Sequence, residues 1–179
     1  MKKLLPLAYC MLFFVISTSC KDSFEQRPDV VWVPTPQEVV DKMLELAEVK
    51  PGDTLYDLGC GDGRIVVTAA KKFGIRAYGF DIDAKRIADS TEKVKSSNLQ
   101  KLVTITQKNI FELDLTPATV ITLYLLPSLN VKLIPQLEKC RPGTRIVSHD
   151  FDMKGIKPQK VYEMEGHTIY LWVTPLEKE

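Results

Sequence analysis

Apolar residues recur along the chain with two different periods, which together predict an alternation of helices and strands. Spacings of three and four residues predict amphipathic helices that begin near positions 36, 64, 83 and 128. Short apolar runs between them predict five strands, at residues 54–58, 76–81, 102–106, 120–125 and 145–150. Lys160–Met164 and His167–Val173 then form a predicted hairpin. The alternation is typical of an α/β protein with a mostly parallel sheet and right-handed crossovers.

Polar residues and prolines mark where these helices begin. Thr35-Pro36-Gln37-Glu38 matches a capping box with proline at the first helical position, so Thr35 is the predicted N-cap of the first helix. Asp83 is the predicted N-cap of the helix after the second strand. Ser128 is the predicted cap of a helix over residues 129–140.

A glycine-rich motif joins the first strand to the second helix. The sequence DLGCGDGR spans residues 57–64 and places Gly59, Gly61 and Gly63 directly before the helix. Glycines let the backbone turn tightly and approach a ligand, and a helix N-terminus offers free N–H groups. The motif predicts a nucleotide-binding loop, with a plain strand-to-helix turn as the alternative. Its spacing is G-x-G-x-G, not the G-x-G-x-x-G of the dinucleotide fingerprint.

The second predicted strand ends in an acidic residue, Asp81, which lies 18 residues after Gly63. A carboxylate at this position can accept hydrogen bonds from both hydroxyl groups of an adenosine ribose. NAD and S-adenosylmethionine (SAM) both carry that ribose. The residue types alone therefore leave both ligands open.

Two segments resemble motifs of the class I SAM-dependent methyltransferases. Residues 57–63 are similar to motif I, and residues 79–83 are similar to the segment that follows it in that class. The resemblance implies a Rossmann-like sheet of seven strands, mostly parallel, with a C-terminal antiparallel hairpin. It also implies SAM as the cofactor. The residues implied to bind SAM are Asp57, Gly59, Gly61 and Gly63 around the methionine part and Asp81 on the ribose.

A looser resemblance over most of residues 32–174 indicates one group within this class. Residues 33–36, 57–67 and 145–148 are similar to the membrane-associated protein-lysine methyltransferases of the ATP synthase c-subunit and the adenine nucleotide translocase. The resemblance implies methyl transfer to a protein lysine, with a small molecule as the other acceptor class. Residues 122–129 lack the Asn/Asp-Pro-Pro-Tyr/Phe motif of enzymes that methylate adenine or glutamine, which disfavours those substrates.

Polar residues recur where the predicted strands end, at the sheet edge where α/β proteins bind ligands. Asn109 follows the third strand, and its side-chain oxygen is a candidate acceptor for the adenine amino group, with a turn role as the alternative. Tyr124 and Asp150 lie at the carboxyl ends of the fourth and fifth strands and are the candidate catalytic residues, with core and cap roles as alternatives. Trp32 and Pro34 form a candidate lid.

Charge and cysteine content bear on the partners. The 179 residues fit a single domain, and the net charge is +1. Lys2 and Lys3 are the only charged residues before Cys20, so the remainder holds 22 basic and 23 acidic residues. This balance predicts no nucleic-acid partner. Cys60 and Cys140 lack metal-binding spacing, and the chain has only two histidines, so no metal site is expected.

Residues 1–20 have the layout of a secretory signal peptide or a short membrane anchor. A basic start precedes an apolar run, and Ser17-Thr18-Ser19-Cys20 resembles a bacterial lipoprotein cleavage site with Cys20 as the lipidated residue. We therefore expect a membrane-associated protein, with residues 21–31 as a linker and residues 32–179 as the methyltransferase domain. The membrane face and the oligomeric state stay open.

Two other functions also stay open. A Rossmann-like enzyme that uses NAD fits the fold but not the glycine spacing. A membrane-tethered protein that binds SAM or a nucleoside without turnover fits an exported domain, because SAM is a cytoplasmic metabolite.

Overall fold

A computed structural model of the protein describes residues 32–179, which form one sheet with helices on both faces. The predicted signal or anchor at residues 1–20, with Cys20, and the predicted linker at residues 21–31 lie outside the described residues. Among the helices that are described, none has the length and apolar character needed to cross a membrane.

The helices and strands of residues 32–179 follow the predicted alternation closely. The strands are β1 (Thr54–Leu58), β2 (Arg76–Asp81), β3 (Val103–Gln107), β4 (Val120–Leu123), β5 (Arg145–His149), β6 (Lys160–Met164) and β7 (His167–Val173). The α-helices are α1 (Gln37–Leu46), α2 (Arg64–Phe73), α3 (Ala84–Ser96) and α4 (Pro127–Leu137). A short 3₁₀ helix, Ile110–Glu112, follows β3.

The strands lie side by side in the order β3-β2-β1-β4-β5-β7-β6. Strands β1 to β5 are all parallel, whereas β7 runs antiparallel to both β5 and β6. The predicted Rossmann-like sheet with its C-terminal antiparallel hairpin is therefore confirmed. The chain moves outward from β1 to β3 and then returns to β4, so the strand order reverses between β1 and β4. Ligands of open α/β sheets bind beyond the carboxyl ends of the strands at such a reversal.

Two apolar layers hold the sheet between the helices. On one face the apolar sides of α1, α2 and α3 pack on the strands through residues such as Leu44 and Val66. On the other face α4 and β7 contribute Leu133 and Trp172, which are both fully buried. Each such side chain stabilises the fold by about 1.5–3 kcal/mol. This packing fixes the positions of the strand ends that carry the predicted site.

The predicted capping box at the start of α1 is wrong. The helix begins at Gln37, and Pro36 is its N-cap residue without any side-chain cap bond. The hydroxyl group of Thr35 instead lies 3.3 Å from Nδ1 of His149, on a distant strand. A tertiary hydrogen bond thus replaces the local one that the sequence suggested.

Of the other two cap predictions, one is wrong and one is confirmed. Helix α4 begins at Pro127, whose fixed φ suits the first turn, so Ser128 lies inside the helix and does not cap it. The predicted cap of α3 is confirmed, since the Asp83 carboxylate accepts a hydrogen bond from the N–H of Lys85.

Two strands end earlier than predicted. Strand β4 ends at Leu123, and residues 124–126 that follow it line a cavity. Strand β5 ends at His149, because Asp150 has a φ of 58°. A left-handed residue cannot continue an extended strand. Strand β3 is displaced by one residue from its prediction.

Candidate active site

A cavity of about 850 Å³ opens at the carboxyl edge of β1, β2 and β4, where the strand order reverses. Four segments supply most of its wall, at residues 32–35, 81–83, 108–111 and 124–126. The glycine-rich motif contributes Asp57, Gly59 and Cys60, and Phe151 closes one side. Seven sequence-predicted residues therefore line this cavity: the binding and catalytic candidates Asp57, Gly59, Asp81, Asn109 and Tyr124, and the lid candidates Trp32 and Pro34. Gly61, Gly63 and Asp150 are not part of its wall.

The three glycines of the motif all have positive φ, but they have different neighbours. Gly59 (φ 80°) lies at the cavity, where an added Cβ would stand 3.0 Å from a methyl group of Leu125. Gly61 (φ 53°) is covered by Trp32, since its Cβ would lie 2.1 Å from the indole nitrogen. Gly63 (φ 77°) is the N-cap of α2 and packs against Ser90 of α3. Gly61 and Gly63 therefore shape the loop without lining the cavity.

Asp57 is a buried carboxylate with one unpaired oxygen. Its Oδ1 accepts a hydrogen bond of 2.7 Å from the hydroxyl of Thr122, whereas its Oδ2 has no partner among the described residues. Burial raises the pKa of Asp57 to about 7; the bond from Thr122 opposes this, and the charges of Asp81 and Asp62 add to it. The unpaired Oδ2 of this residue at the cavity wall is a suitable acceptor for a cationic hydrogen-bond donor such as an ammonium group.

Asp81 organises the loop and also reaches the cavity. Its two oxygens accept hydrogen bonds from the backbone N–H groups of Gly61, at 2.9 Å, and Asp83, at 3.0 Å. An ionised carboxylate has about four acceptor positions, so acceptor capacity remains for the hydroxyl groups of a ribose. The same side chain thus holds the glycine loop and offers a ligand contact.

Asn109 has the turn role that the sequence left open as one alternative, and its contact with adenine stays a prediction. Its side-chain oxygen accepts a hydrogen bond from the N–H of Phe111 and caps the 3₁₀ helix, and its amide donates to Glu112. It also lines the cavity beside Ile110 and Phe111. The apolar walls of this region suit a flat base such as adenine.

Side-chain contacts hold the N-terminal segment, residues 32–35, against the glycine motif. The Arg64 guanidinium donates to the backbone oxygen of Thr35, at 2.6 Å, and to the carboxylate of Asp62. The Arg86 guanidinium lies 4.4 Å from the centre of the Trp32 ring. These contacts place the candidate lid against the cavity, as part of its wall.

Tyr124 lines the cavity just after β4, which is separated from β2, the strand of Asp81, by β1. Its ring contacts the imidazole of His149, with centroids 4.0 Å apart, and stacks on Phe151 at 5.9 Å. Burial raises the pKa of the Tyr124 phenol, and the negative charge of Asp150 adds to this effect. The phenol therefore stays protonated at neutral pH.

Three polar side chains meet at the ends of β5 and β7, in what we call the His–Asp cluster (His149, Asp150 and His167). His149 Nε2 lies 2.9 Å from His167 Nδ1, and Asp150 Oδ2 lies 3.2 Å and 3.3 Å from these two nitrogens. Burial lowers the pKa of His149 to about 4; the charge of Asp150 opposes this, and His167 adds to it. No metal site was expected from the sequence, and His167 was not among the candidate site residues. The hairpin register was the available signal, because antiparallel pairing with β5 brings the start of β7 to Asp150.

The residues of the cavity fit SAM when it is tested group by group. Asp57 Oδ2 would accept from the ammonium of the methionine part, Asp81 from the ribose, and the wall near Asn109 would hold the adenine. When bound, SAM supplies a methyl group on a positively charged sulfur. The fold and the site together define a class I SAM-dependent methyltransferase.

Comparisons with known proteins place the chain more closely. Residues 57–160 match the ANTKMT methyltransferase domain, and the chain belongs to this family. A relative from Saccharolobus islandicus (strain REY15A), named protein-lysine N-methyltransferase, is 45% identical over 152 residues, or 82% of this chain and 94% of the relative. A Caenorhabditis elegans relative, named as the lysine N-methyltransferase of the ATP synthase c-subunit, is 29% identical over 83% of this chain and 81% of its own length.

A solved structure resembles most of the chain. It comes from Salinibacter ruber, is described as an RNA methyltransferase in complex with S-adenosyl-L-homocysteine, and shares 50% sequence identity. The match has a TM-score of 0.78 and covers 80% of this chain and 94% of the other. The prediction of SAM as cofactor is confirmed, and the NAD-dependent and non-catalytic alternatives are not supported. The roles of individual residues stay predictions.

Proposed function

We propose that this methyltransferase transfers the methyl group of SAM to the side-chain amine of a protein lysine. The observation that carries the proposal is the relative at 45% identity, which is named for protein-lysine methylation and aligns over 94% of its own length. The Caenorhabditis elegans relative is also named for a lysine. The chemistry of the cavity wall supports the same class of acceptor.

A lysine acceptor has to be neutral and in line with the methyl group. In water its pKa is near ~10.4, so it reaches the enzyme as an ammonium ion and must lose a proton. An apolar surrounding favours the neutral amine. Leu125, Leu126 and Phe151 provide such a surrounding next to Tyr124. This part of the wall is therefore our candidate for the acceptor side.

Tyr124 is our candidate for orienting the amine. Because its phenol stays protonated, the hydroxyl oxygen is an acceptor for an amine N–H and the residue is not a phenolate base. Asp150 lies outside the cavity wall. We therefore assign Asp150 a positioning role, exerted through Tyr124 and not through contact with the acceptor.

Replacing the Tyr124 hydroxyl tests this assignment. Tyr124→Phe should lower turnover roughly tenfold, since one hydrogen bond contributes about 1–1.5 kcal/mol, and should leave SAM affinity nearly unchanged. Tyr162→Phe is the matched control, because Tyr162 is exposed on β6. Single-turnover rates and SAM calorimetry separate the two effects. Equal turnover in the two variants would remove Tyr124 from the mechanism.

RNA is the second candidate acceptor, because the Salinibacter ruber protein is described as an RNA methyltransferase. The near balance of 22 basic and 23 acidic residues from Cys20 onward weighs against it. Methyl-labelled SAM, a membrane extract and total RNA can be incubated with the enzyme, followed by protease or ribonuclease digestion. We expect protease-sensitive label that maps to lysine, at a rate that rises with pH as the amine loses its proton. Label only in RNA or in small molecules would overturn the lysine assignment.

We also propose that residues 1–20 attach the enzyme to a membrane. The apolar run, the basic start and Cys20 support this, and a tether would raise the effective concentration of a membrane-protein acceptor. Mass spectrometry of the native protein should show either an acylated Cys20 as the first residue or an intact anchor. A soluble native chain without residues 1–20 and without a lipid would contradict the proposal.

A further inference from the structure

The His–Asp cluster has an arrangement that the proposed positioning of Tyr124 by Asp150 does not account for. Its three ligand atoms, His149 Nε2, His167 Nδ1 and Asp150 Oδ2, face one another at 2.9–3.3 Å. Each residue offers one ligand atom, so the three together could hold one metal ion. They lie at the ends of β5 and β7 and outside the wall of the SAM cavity.

These separations match one face of a tetrahedral metal site. Zinc–nitrogen and zinc–oxygen bonds of roughly 2.0–2.1 Å place two tetrahedral ligands about 3.3 Å apart. The three distances between the ligand atoms, 2.9–3.3 Å, are equal to this value or slightly shorter. To bind an ion, the ligand atoms would therefore have to move apart by only a few tenths of an ångström. Two imidazoles and one carboxylate are a known ligand set for zinc with an open fourth position. Magnesium and calcium prefer oxygen ligands throughout.

The atoms behind the ligands are arranged as in an outer coordination shell. His149 Nδ1 lies 3.3 Å from the hydroxyl of Thr35, which can accept its N–H and so leave Nε2 free to ligate. The second oxygen of Asp150 accepts a hydrogen bond of 3.0 Å from the N–H of Thr168. Both contacts fix the orientation of a ligand, which a chance meeting of polar side chains does not require.

We propose that His149, Asp150 and His167 bind one divalent transition-metal ion, with zinc as the best match. His149 is fully buried, whereas Asp150 and His167 are 25% and 28% exposed, so the ion has a path from solvent and room for a water ligand. The ion would join the ends of β5 and β7 to the N-terminal segment through Thr35. It would also hold the His149 ring beneath Tyr124. This site is independent of the acceptor that the enzyme methylates.

Metal binding to the full-length protein tests the site directly. The protein, stripped with a chelator, is dialysed against zinc and, separately, against cobalt. We expect one ion per chain, a cobalt spectrum of a four-coordinate site, and a higher melting temperature with zinc. Thiolate-to-cobalt absorption should be missing, since the proposed ligands contain no sulfur and the two cysteines of residues 32–179, Cys60 and Cys140, are buried outside the cluster.

Two variants remove ligands with little change of shape. Asp150→Asn keeps a residue type that tolerates the φ of 58° and can still accept from Thr168. His167→Gln changes a partly exposed residue. Each should weaken zinc binding by more than ~100-fold, beyond the roughly 10–100-fold cost of losing an outer-shell partner that we expect for Thr35→Val.

Glu163→Gln is the matched control, because Glu163 is an exposed carboxylate opposite Thr168 that does not face the cluster. It should bind zinc as the unaltered protein does. Three outcomes would overturn the proposal: no stoichiometric ion at micromolar zinc, zinc retained by both ligand variants, or a thiolate band that places the ion on cysteine. The melting temperature without metal shows whether each variant is folded, so a loss of zinc can be told from a loss of structure.

Discussion

At the scale of single residues, Asp57 shows how a binding role conflicts with stability. Its carboxyl is buried, its Oδ2 has no partner among the described residues, and its pKa is raised to about 7 by burial. The folded protein therefore keeps a proton that the unfolded chain, with a pKa near ~3.9, has lost. The stability that this proton provides is complete below about pH 4 and is lost as the pH rises to about 7.

Asp57→Asn should remove this pH dependence. We expect the unfolding free energy of the unaltered, SAM-free protein to fall between pH 4 and pH 7 by up to ~4 kcal/mol from this group, and Asp57→Asn to show a flatter curve. Denaturant unfolding at several pH values measures both. Parallel curves would contradict the assigned protonation state.

The same residue should make SAM binding depend on pH. The ammonium of SAM prefers the ionised carboxylate, so affinity should rise as the pH passes about 7. Asp57→Asn should bind SAM more weakly, by ~1.5–3 kcal/mol for a lost charged hydrogen bond, and without this rise. Calorimetry at pH 6 and pH 8 decides the matter. Asp57 would not contact the ammonium if affinity were equal at the two pH values in the unaltered protein.

Gly61 offers a second test at the residue scale, with a matched control in the same chain. Gly61 and Gly74 both have positive φ, at 53° and 65°, but an added Cβ meets Trp32 at Gly61 and no neighbouring atom at Gly74. Both alanine variants should lose about 1 kcal/mol of stability from backbone strain. Only Gly61→Ala should also weaken SAM binding, because it displaces Trp32 and disturbs the hydrogen bond from the Gly61 N–H to the Asp81 carboxylate. Equal SAM affinities in the two variants would contradict this interpretation.

At the scale of elements, the N-terminal segment joins parts of the molecule that are distant in sequence. Arg64 holds Thr35, the hydroxyl of Thr35 contacts His149, and Trp32 covers Gly61 between the loop and Arg86. The segment has no regular secondary structure of its own. Its conformation depends on these side-chain contacts, so single replacements there should change the cavity wall more than the stability of the sheet.

Trp32→Ala is the corresponding prediction. The ring is 41% exposed, so its loss should change the unfolding free energy little. SAM should bind about tenfold more weakly, the equivalent of ~1.4 kcal/mol, because part of the wall is removed. Val161→Ala, which truncates an exposed apolar residue on the remote strand β6, should leave SAM binding unchanged. Calorimetry and thermal unfolding of both variants provide the comparison.

At the scale of the whole molecule, the sheet and both apolar layers are complete within residues 32–179. A shortened chain of residues 24–179 should therefore fold and bind SAM as tightly as the full-length protein. Thermal unfolding with and without SAM tests this. Aggregation without any thermal shift by SAM would show that the domain boundary is wrong.

The sequence by itself determined the elements and their order. Apolar periodicity predicted every strand of residues 32–179, and β2, β6 and β7 have the predicted bounds. These features depend on residues that are close in the chain, as does the turn of the glycine motif before α2. The resemblance to methyltransferases added the sheet topology and the cofactor. The sequence also predicted which residues line the cavity, because the carboxyl ends of parallel strands meet at one edge of the sheet. These residues are Asp57, Asp81, Asn109 and Tyr124.

Only the tertiary structure decided which side chains meet. Thr35 does not cap α1 as predicted, and its hydroxyl instead contacts His149, which is 114 residues away in sequence. Asp150 has a positive φ, which ends the strand, and its carboxylate contacts His167. No local pattern in the sequence had indicated His167 as a site residue. Gly61 proved to be covered by Trp32. Such contacts depend on how helices and strands pack, and local periodicity and motif spacing carry no information about that packing.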